Sequence, residues 1–323
     1  MEKLSVKENR RKSNYKETLR KYGLAIAFVS PYFLAFLFFS VIPLLSGFFI
    51  SLFKYDPYNG GFQAFVGLDN YLKIFQDNVL SRTFWNCFLK TLCFDVVAVP
   101  LLIIIPLGLA YLINLKPPGY KIFRAIIYLP SVVSITIVGI IFGAIFSGQK
   151  EGLINALFGS NIDWLGVPTL RWTVMLIASI WWQTGTNFVI LGGALRNVPK
   201  SLYEACEMDG GNKFKTFLYV TLPNIKGTIG ICVFTTLVSY LGLYGQPKVL
   251  NSGVNKNDYE SPMMLIQGWL SDVGKSNLTG LICATAVFFG ILVMLISLLQ
   301  KSLMKEKKRG TRYAKEFEAF SLK

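Results

Sequence analysis

The chain has 323 residues, of which 53% are hydrophobic and only 16% are charged, whereas a soluble domain carries about a quarter charged residues. Lys and Arg outnumber Asp and Glu by 33 to 18, which gives a net charge of +15. The chain has no His and its five Cys show no CxxC spacing, so His-dependent catalysis is excluded and neither a metal site nor a disulfide framework is expected.

Long apolar runs follow one another along the chain. All are free of charged residues except the second, which contains Asp95. A helix needs about 20 residues to cross a bilayer core of about 30 Å, and the runs lack the polar face of a buried helix in a soluble protein. We therefore predict an all-α membrane protein with six transmembrane helices, at about 24–52, 91–115, 125–147, 172–195, 227–247 and 276–300.

The distribution of Lys and Arg predicts the orientation. On one side of the predicted membrane, 24 basic residues lie in the segments 1–21, 116–124, 196–226 and 301–323. On the other side, 9 basic residues lie in 54–90, 148–171 and 248–275. Basic loops stay in the cytoplasm, so both termini are expected there. The predicted organisation is a basic N-terminal segment (1–21), a transmembrane domain (22–300) and a basic tail (301–323), with basic ends that contact anionic lipid rather than nucleic acid.

Three features of the first half carry further predictions. Pro31 and Pro43 are expected to kink the first span or to mark its ends. In the outer loop "FVGLDNYLKIF" (65–75), Asp69 is expected to cap a short helix on the membrane surface. Asp95 is a candidate for ion or proton coupling because an intramembrane carboxylate is costly. Placed about one turn from the outer end of the second span, it is expected instead to reach headgroups and water.

The stretch "SLYEACEMDGGNKFKTFLYVTLP" (201–223) interrupts the apolar pattern between spans four and five. Ser201 and Glu204 have the spacing of a capping box, which predicts a short helix that runs to Asp209. Gly210-Gly211 is expected to end this helix, because Gly adopts positive φ readily. A second helix is predicted to begin near Asn212.

This predicted helix-turn-helix is longer than a connector between two spans requires. Glu204, Glu207 and Asp209 supply negative charge on an otherwise basic face, and the small Ala205 and Cys206 permit close approach of another backbone. The combination is typical of a docking site for a partner protein. An amphipathic turn that lies on the membrane surface without a partner is the alternative.

The stretch resembles the EAA loop of ABC-importer permeases, whose pattern is E-A-A-x3-G-x9-I-x-L-P. Here the pattern reads Glu204-Ala205-Cys206, then Gly210, then Val220, then Leu222-Pro223, with every spacing kept. "FVGLDNY" (65–71) and the general layout also resemble permeases of the carbohydrate family, of the maltose and glycerol-phosphate type. The resemblance covers about 22–300 and implies the fold of type I ABC-importer permeases.

The resemblance also implies a mechanism and partners. Two permease subunits, most often different chains, form the pathway in the cell membrane, and an extracytoplasmic binding protein delivers the solute. Two separate ATPase subunits bind ATP and Mg²⁺, so this chain itself is expected to be neither an enzyme nor a cofactor-binding protein. It has no GxxxxGK[ST] pattern for nucleotide. The residues implied in coupling to the ATPase are Glu204, Ala205, Cys206, Asp209, Gly210, Leu222 and Pro223.

The resemblance also implies a solute pathway through spans four and five. Both spans contain aromatic and neutral polar residues, and no charged cluster lines them. Helix–helix hydrogen bonding is an alternative role for these polar residues. The implied contact positions are Gln183, Thr186, Thr236, Ser239, Tyr240 and Leu243. The expected solute is a sugar or oligosaccharide; the alternatives are glycerol 3-phosphate or another non-sugar solute, and an ion-coupled carrier that uses Asp95.

Overall fold

The structure is a computed structural model, and it describes residues 21–23, 25–57, 60–148, 152–250, 261–271 and 278–303. Nearly all of the predicted basic segments 1–21 and 301–323 lie outside these residues, as does part of the predicted outer loop 248–275. Within the described ranges, the chain is mostly helical, as predicted. The helices are α1 (Lys21–Ser51), α2 (Asp69–Gln76), α3 (Asn78–Asn114), α4 (Tyr120–Tyr128), α5 (Ile135–Ile145), α6 (Leu153–Phe158), α7 (Pro168–Arg196), α8 (Lys200–Met208), α9 (Lys213–Leu241), α10 (Gly245–Leu250), α11 (Pro262–Ser271) and α12 (Thr279–Leu303).

Among the described residues, five helices are long and apolar enough to cross a membrane: α1, α3, α7, α9 and α12. The predicted third span, 125–147, is not one helix. It is divided into α4 and α5, which meet at an angle of 97° on either side of a 3-10 turn, Leu129–Val132. Pro130 lies in the 3-10 turn, where its ring disfavours a continuing α-helix, and the chain changes direction just after it, at the extended residues Val133 and Ser134. Ser134 then caps α5 by accepting a hydrogen bond from the Ile137 amide. Counted as one broken span, this pair completes the six predicted.

The break is held against α7 by two close contacts. The Trp182 indole donates to the Val133 carbonyl at 2.8 Å. Gly185 lies so close to the turn that an added Cβ would come within 2.7 Å of the Ser131 Oγ and 3.0 Å of the Ile127 carbonyl. The bend between α4 and α5 is therefore stabilised by its packing against α7.

Two other predicted span boundaries differ in the structure. α3 begins at Asn78, well before the predicted 91, because the Asp77 carboxylate accepts hydrogen bonds from the Val79 and Leu80 amides and caps the helix. α9 ends at Leu241, short of the predicted 247, and the separate α10 follows. In both places the boundary of the helix differs from the boundary of the apolar run.

The long helices contain several prolines without ending at them, and two of these prolines follow a π-helical turn. α1 crosses Pro43 and α9 crosses Pro223, and in each helix a π-helical turn comes first, at Leu37–Val41 and Phe217–Thr221. The amides of Ile42 and Leu222 donate to carbonyls five residues back. The wider turn gives room for the carbonyl that the proline ring would otherwise meet, so neither proline ends its helix.

The chain divides into two compact units, 1–72 with 273–287, and 73–272 with 288–323. In the first unit α1 leads into an antiparallel hairpin of β1 (Phe53–Asp56) and β2 (Gly61–Phe65), which the sequence analysis did not predict. The Asn70 amide donates to the carbonyls of Ser51 and Phe53. Thus part of "FVGLDNY" fastens the end of α1 to the hairpin.

In the second unit, α3 and α7 pack along much of their length. One core cluster lies between α3, α5, α7 and the end of α9, with Phe94, Leu102, Phe142 and Met175 among its buried members. A second cluster continues along α3, α7 and the start of α9, from Ile103 to Cys232. Many other large apolar side chains are exposed, as expected of surfaces that face lipid or another subunit.

The three helices α3, α7 and α9 are joined by one polar side chain. Asn187, buried in α7, donates to the Leu102 carbonyl of α3 at 2.7 Å and to the Thr236 hydroxyl of α9 at 3.1 Å. The Leu102 carbonyl would ordinarily accept from the residue four positions on, but this residue is Pro106, which has no N–H. Asn187 therefore satisfies a carbonyl that a helix proline leaves without its donor.

We predict that Asn187→Leu lowers stability by about 1–2 kcal/mol, because the Leu102 carbonyl loses its donor inside the membrane domain. In a Pro106→Ala background the same change costs less, since an alanine at that position supplies the missing N–H. Thermal unfolding of the four purified proteins in detergent, followed by intrinsic fluorescence, measures the difference. Equal losses in both backgrounds would show that Asn187 does not compensate for the proline.

Candidate functional site

The segment between α7 and the membrane-spanning part of α9 forms the predicted helix-turn-helix. α8 runs from Lys200 to Met208, close to the predicted bounds, and the Asn212 side chain caps the start of α9 by accepting from the Lys215 amide at 2.8 Å. The predicted Ser201 cap is wrong. Pro199 occupies the N-cap position with φ −58°, and Ser201 lies inside the first turn, where no side-chain cap is formed.

The turn depends on both glycines, for different reasons. Gly210 has φ +74°, as predicted for a helix C-terminus. Gly211 donates its amide to the Cys206 carbonyl at 2.8 Å, and a Cβ on Gly211 would lie 2.5 Å from the Cys206 Sγ and 2.7 Å from that carbonyl oxygen. Both glycines were predicted to end the helix through positive φ, which holds for Gly210, whereas Gly211 is required by this close approach.

The inner face of this loop is anchored to the membrane helices. Tyr203, Phe217 and Leu222 pack against the second core cluster, and the Phe217 ring meets Tyr111 of α3 edge-on at 5.0 Å. The two short helices are also linked by the Cys206 Sγ and the Thr216 hydroxyl, 3.5 Å apart. Because α9 continues through its π turn into the span, the loop and span five form one connected element.

The outer face carries the remaining residues of the motif. Glu204, Ala205, Asp209 and Gly210 are exposed, and Pro223 is exposed at the start of the span. Beside them Met208 is 89% exposed, which leaves a large apolar side chain among acidic groups. Of the predicted coupling residues, Cys206 and Leu222 do not belong to this face because they are half-buried and contact the loop itself or the core.

The predicted solute-pathway residues do not lie on one surface. Thr186 and Ser239 are exposed and Gln183 is half-buried, whereas Thr236 is buried and accepts from Asn187. The other two, Tyr240 and Leu243, are buried members of the first core cluster. In this structure the six positions are therefore divided between exposed and buried environments.

Asp95 differs from its expected environment. It lies near the middle of α3 and is 1% exposed, instead of one turn from a helix end within reach of headgroups. The expectation was wrong because it placed the start of the helix at the apolar run, whereas α3 begins at Asn78. Asp95 is part of the protein interior.

Residues 102–305 match the family described as the inner membrane component of binding-protein-dependent transport systems. The chain belongs to this family. The resemblance seen in the motif between spans four and five is therefore confirmed at the level of the family.

Three relatives are similar over most of the chain. The arabinooligosaccharides transport system permease protein AraP of Halalkalibacterium halodurans is 29% identical over 87% of this chain and 88% of its own length. The probable ABC transporter permease protein YesP of Bacillus subtilis is 34% identical over 73% of this chain and 76% of its own. The lactose transport system permease protein LacF of Rhizobium radiobacter is 32% identical, over 67% and 70% respectively.

The fold has a counterpart among solved structures. A chain of a bacterial ABC transporter that imports the acidic polysaccharide alginate superposes with a TM-score of 0.73 and 20% identity. The match covers 92% of this chain and 100% of the other. At this identity the likeness establishes the shared permease fold.

We predict that Gly211→Ala destabilises the loop, because the added Cβ displaces Cys206 from its contact with the turn. The thermal midpoint should fall, and N-ethylmaleimide should label the half-buried Cys206 faster, as read by mass spectrometry. Gly193→Ala in α7 is the matched control, since its Cβ meets no atom within 4 Å. If both variants have the same thermal midpoint and the same labelling rate, the close approach at Gly211 does not contribute to the stability of the loop.

Proposed function

We propose that the chain is the transmembrane permease subunit of an ATP-driven importer that moves a sugar or oligosaccharide into the cell. The relatives named for arabinooligosaccharide and lactose transport support the solute class. The absence of a charged cluster along spans four and five is consistent with a neutral solute. The chain itself performs no chemistry in this proposal.

The exposed acidic face of the helix-turn-helix carries the proposal for coupling. Its position between spans four and five, on the side with most of the Lys and Arg residues, supports a cytoplasmic location. There Glu204 pairs with basic groups of an ATPase subunit, while Ala205 permits close packing in its cleft. The anchored inner face transmits the movement of the ATPase to span five.

The proposed assembly has more subunits than this chain. Two ATPase subunits bind ATP and Mg²⁺, and an extracytoplasmic binding protein delivers the solute. A second permease subunit, a different chain, completes the pathway in the cell membrane. The family described as inner membrane components of binding-protein-dependent systems supports this arrangement.

We predict that Glu204→Lys abolishes most ATP-driven uptake, because it replaces an acidic contact with a charge that the basic partner repels. Uptake into proteoliposomes that contain the complete importer should fall at least about tenfold, equivalent to about 1.4 kcal/mol of lost coupling. Membrane insertion should be unchanged.

Lys121→Glu is the control, a charge reversal at an exposed position on the same predicted side but outside the loop. Normal uptake by Glu204→Lys would contradict the coupling role. Uptake that persists without the ATPase subunits would favour an ion-coupled carrier instead.

We also predict that the complete importer takes up neutral oligosaccharides and does not take up organic phosphates. Radiolabelled arabinotriose, lactose and maltotriose are tested as transported solutes, with glycerol 3-phosphate as the charged comparison. Uptake of glycerol 3-phosphate alone would contradict a sugar importer and support the alternative solute class.

A further inference from the structure

A buried group of polar side chains lies within the second unit, where four helices meet. It consists of Asp95 of α3, Ser179 of α7, Tyr240 of α9 and Gln246 of α10, each at most 3% exposed. We refer to these four residues as the Asp95 cluster. The Ser179 hydroxyl donates to the Gln246 Oε1 at 2.8 Å. The Tyr240 hydroxyl lies beside Ser179 and Gln246 and within electrostatic range of Asp95.

Within the described part of the chain, the clearest case of an unsatisfied polar group in the Asp95 cluster is Asp95, both of whose carboxyl oxygens lack a partner. The Tyr240 hydroxyl and the Gln246 Nε2 form no hydrogen bond of good geometry there, although the Tyr240 hydroxyl lies close enough to Ser179 and Gln246 to interact with both. A buried polar group without a partner costs about 1–3 kcal/mol, and more when it is ionised. In membrane proteins such groups mark the pathways of ions or solutes. Acceptors and donors gathered at one place are complementary to a hydroxyl group, which both donates and accepts.

One aromatic side chain, Phe94, contacts the Asp95 cluster and also lines an open groove. The Phe94 ring lies between Trp172, at 5.0 Å between ring centroids, and Tyr240, at 6.0 Å. Phe94 and Trp172 also line a groove of about 490 Å³ between α3 and α7, whose wall is mostly apolar and includes the polar Asn86 and Thr173 and the charged Lys90. A solute in the groove would therefore reach the cluster if the Phe94 ring turned aside.

The groove lies on the same face of α7 as one implied pathway residue. Trp172, Leu176 and Gln183 are spaced at i, i+4 and i+11, which places them on one side of the helix. Trp172 and Leu176 both line the groove. Aromatic rings beside a few convergent polar groups are the usual composition of a small-molecule site.

We propose that the Asp95 cluster is a binding site for the hydroxyl groups of a neutral sugar, which passes Phe94 from the groove between α3 and α7. The proposal rests on the function proposed above and adds Asp95 and Gln246 as residues that determine solute specificity. A phosphate or carboxylate on the solute would bring further acceptor oxygens against the Asp95 carboxyl group, so the site favours uncharged solutes.

Sugar binding to the purified importer without its binding protein tests this directly. Saturation-transfer NMR detects weak binding, with arabinotriose, lactose and maltotriose as probes and a detergent that has no sugar headgroup. The variants are Asp95→Leu, which keeps the branching of the side chain and removes the polar atoms, and Tyr240→Phe, which removes one hydroxyl. We expect each to weaken binding of the preferred probe about tenfold or more, as befits the loss of a hydrogen bond in a dry site.

The controls are Asp69→Asn, an exposed carboxylate, and Tyr244→Phe, a hydroxyl outside the Asp95 cluster; both should bind sugar as the wild type does. Thermal stability separates a binding role from a structural one. Asp95→Leu should unfold at the same temperature as the wild type or higher, because it removes a buried group that lacks partners.

Two results would overturn the inference alone. One is unchanged sugar binding in Asp95→Leu and Tyr240→Phe, and the other is uptake by the complete importer without detectable binding to the importer that lacks its binding protein. A complete wild-type importer that takes up none of the three sugars would overturn the proposed function as well.

Discussion

The structure is governed by the need to satisfy every backbone polar group inside a bilayer, where water is not available as a partner. Proline is the residue that most often breaks this condition, because it lacks an N–H and its ring meets the carbonyl four residues back. The described helices meet the condition at four prolines, in three ways. Asn187 replaces the donor missing at Pro106, π turns precede Pro43 and Pro223, and the chain bends just after Pro130. Each solution fixes the helix geometry around it.

The π turn before Pro223 has a consequence for the loop. If Pro223 ended a helix, a flexible joint would connect the short helices of the motif to the membrane domain. Because α9 runs unbroken from Lys213 to Leu241, a displacement of the loop is carried directly into span five. Tyr203 and Phe217 also pack against the core and so attach the loop to it at two further points. The same proline that marks the motif in the sequence is thus accommodated so that the loop stays rigidly joined to the span.

The existence and order of the spans could be predicted from the sequence, since a charge-free run of sufficient length has few alternatives in a membrane protein. Their boundaries could not, because caps lie outside the apolar runs: Asp77 begins α3 before its run does. The bend of the third span had a local signal in Pro130 and Ser134 that the hydropathy pattern conceals. The hairpin at β1 and β2 had little signal, because its pairing is fixed by Asn70 and the end of α1.

The candidate site was predictable to a similar degree. Motif spacing predicted the helix-turn-helix for which we propose the coupling role, and the positive φ of Gly210 followed from its place after a helix. The role of Gly211 and the inward direction of Cys206 arise from the packing of two helices against each other, which no single segment encodes. Likewise, Asp95 was misplaced because its depth depends on where a neighbouring cap starts the helix.

Two buried polar residues of the same unit illustrate how structural and functional roles differ within a membrane. Asn187 has defined partners on two other helices, so its desolvation is offset and its removal should weaken the fold. Asp95 is as deeply buried, yet its carboxyl oxygens have no hydrogen-bond partner among the described residues. A protein under selection for stability alone would replace such a group with an apolar one. The cost that Asp95 imposes on the fold is therefore best explained by a partner that the chain itself does not provide, and a hydroxyl-rich solute in transit is a partner of the required chemistry.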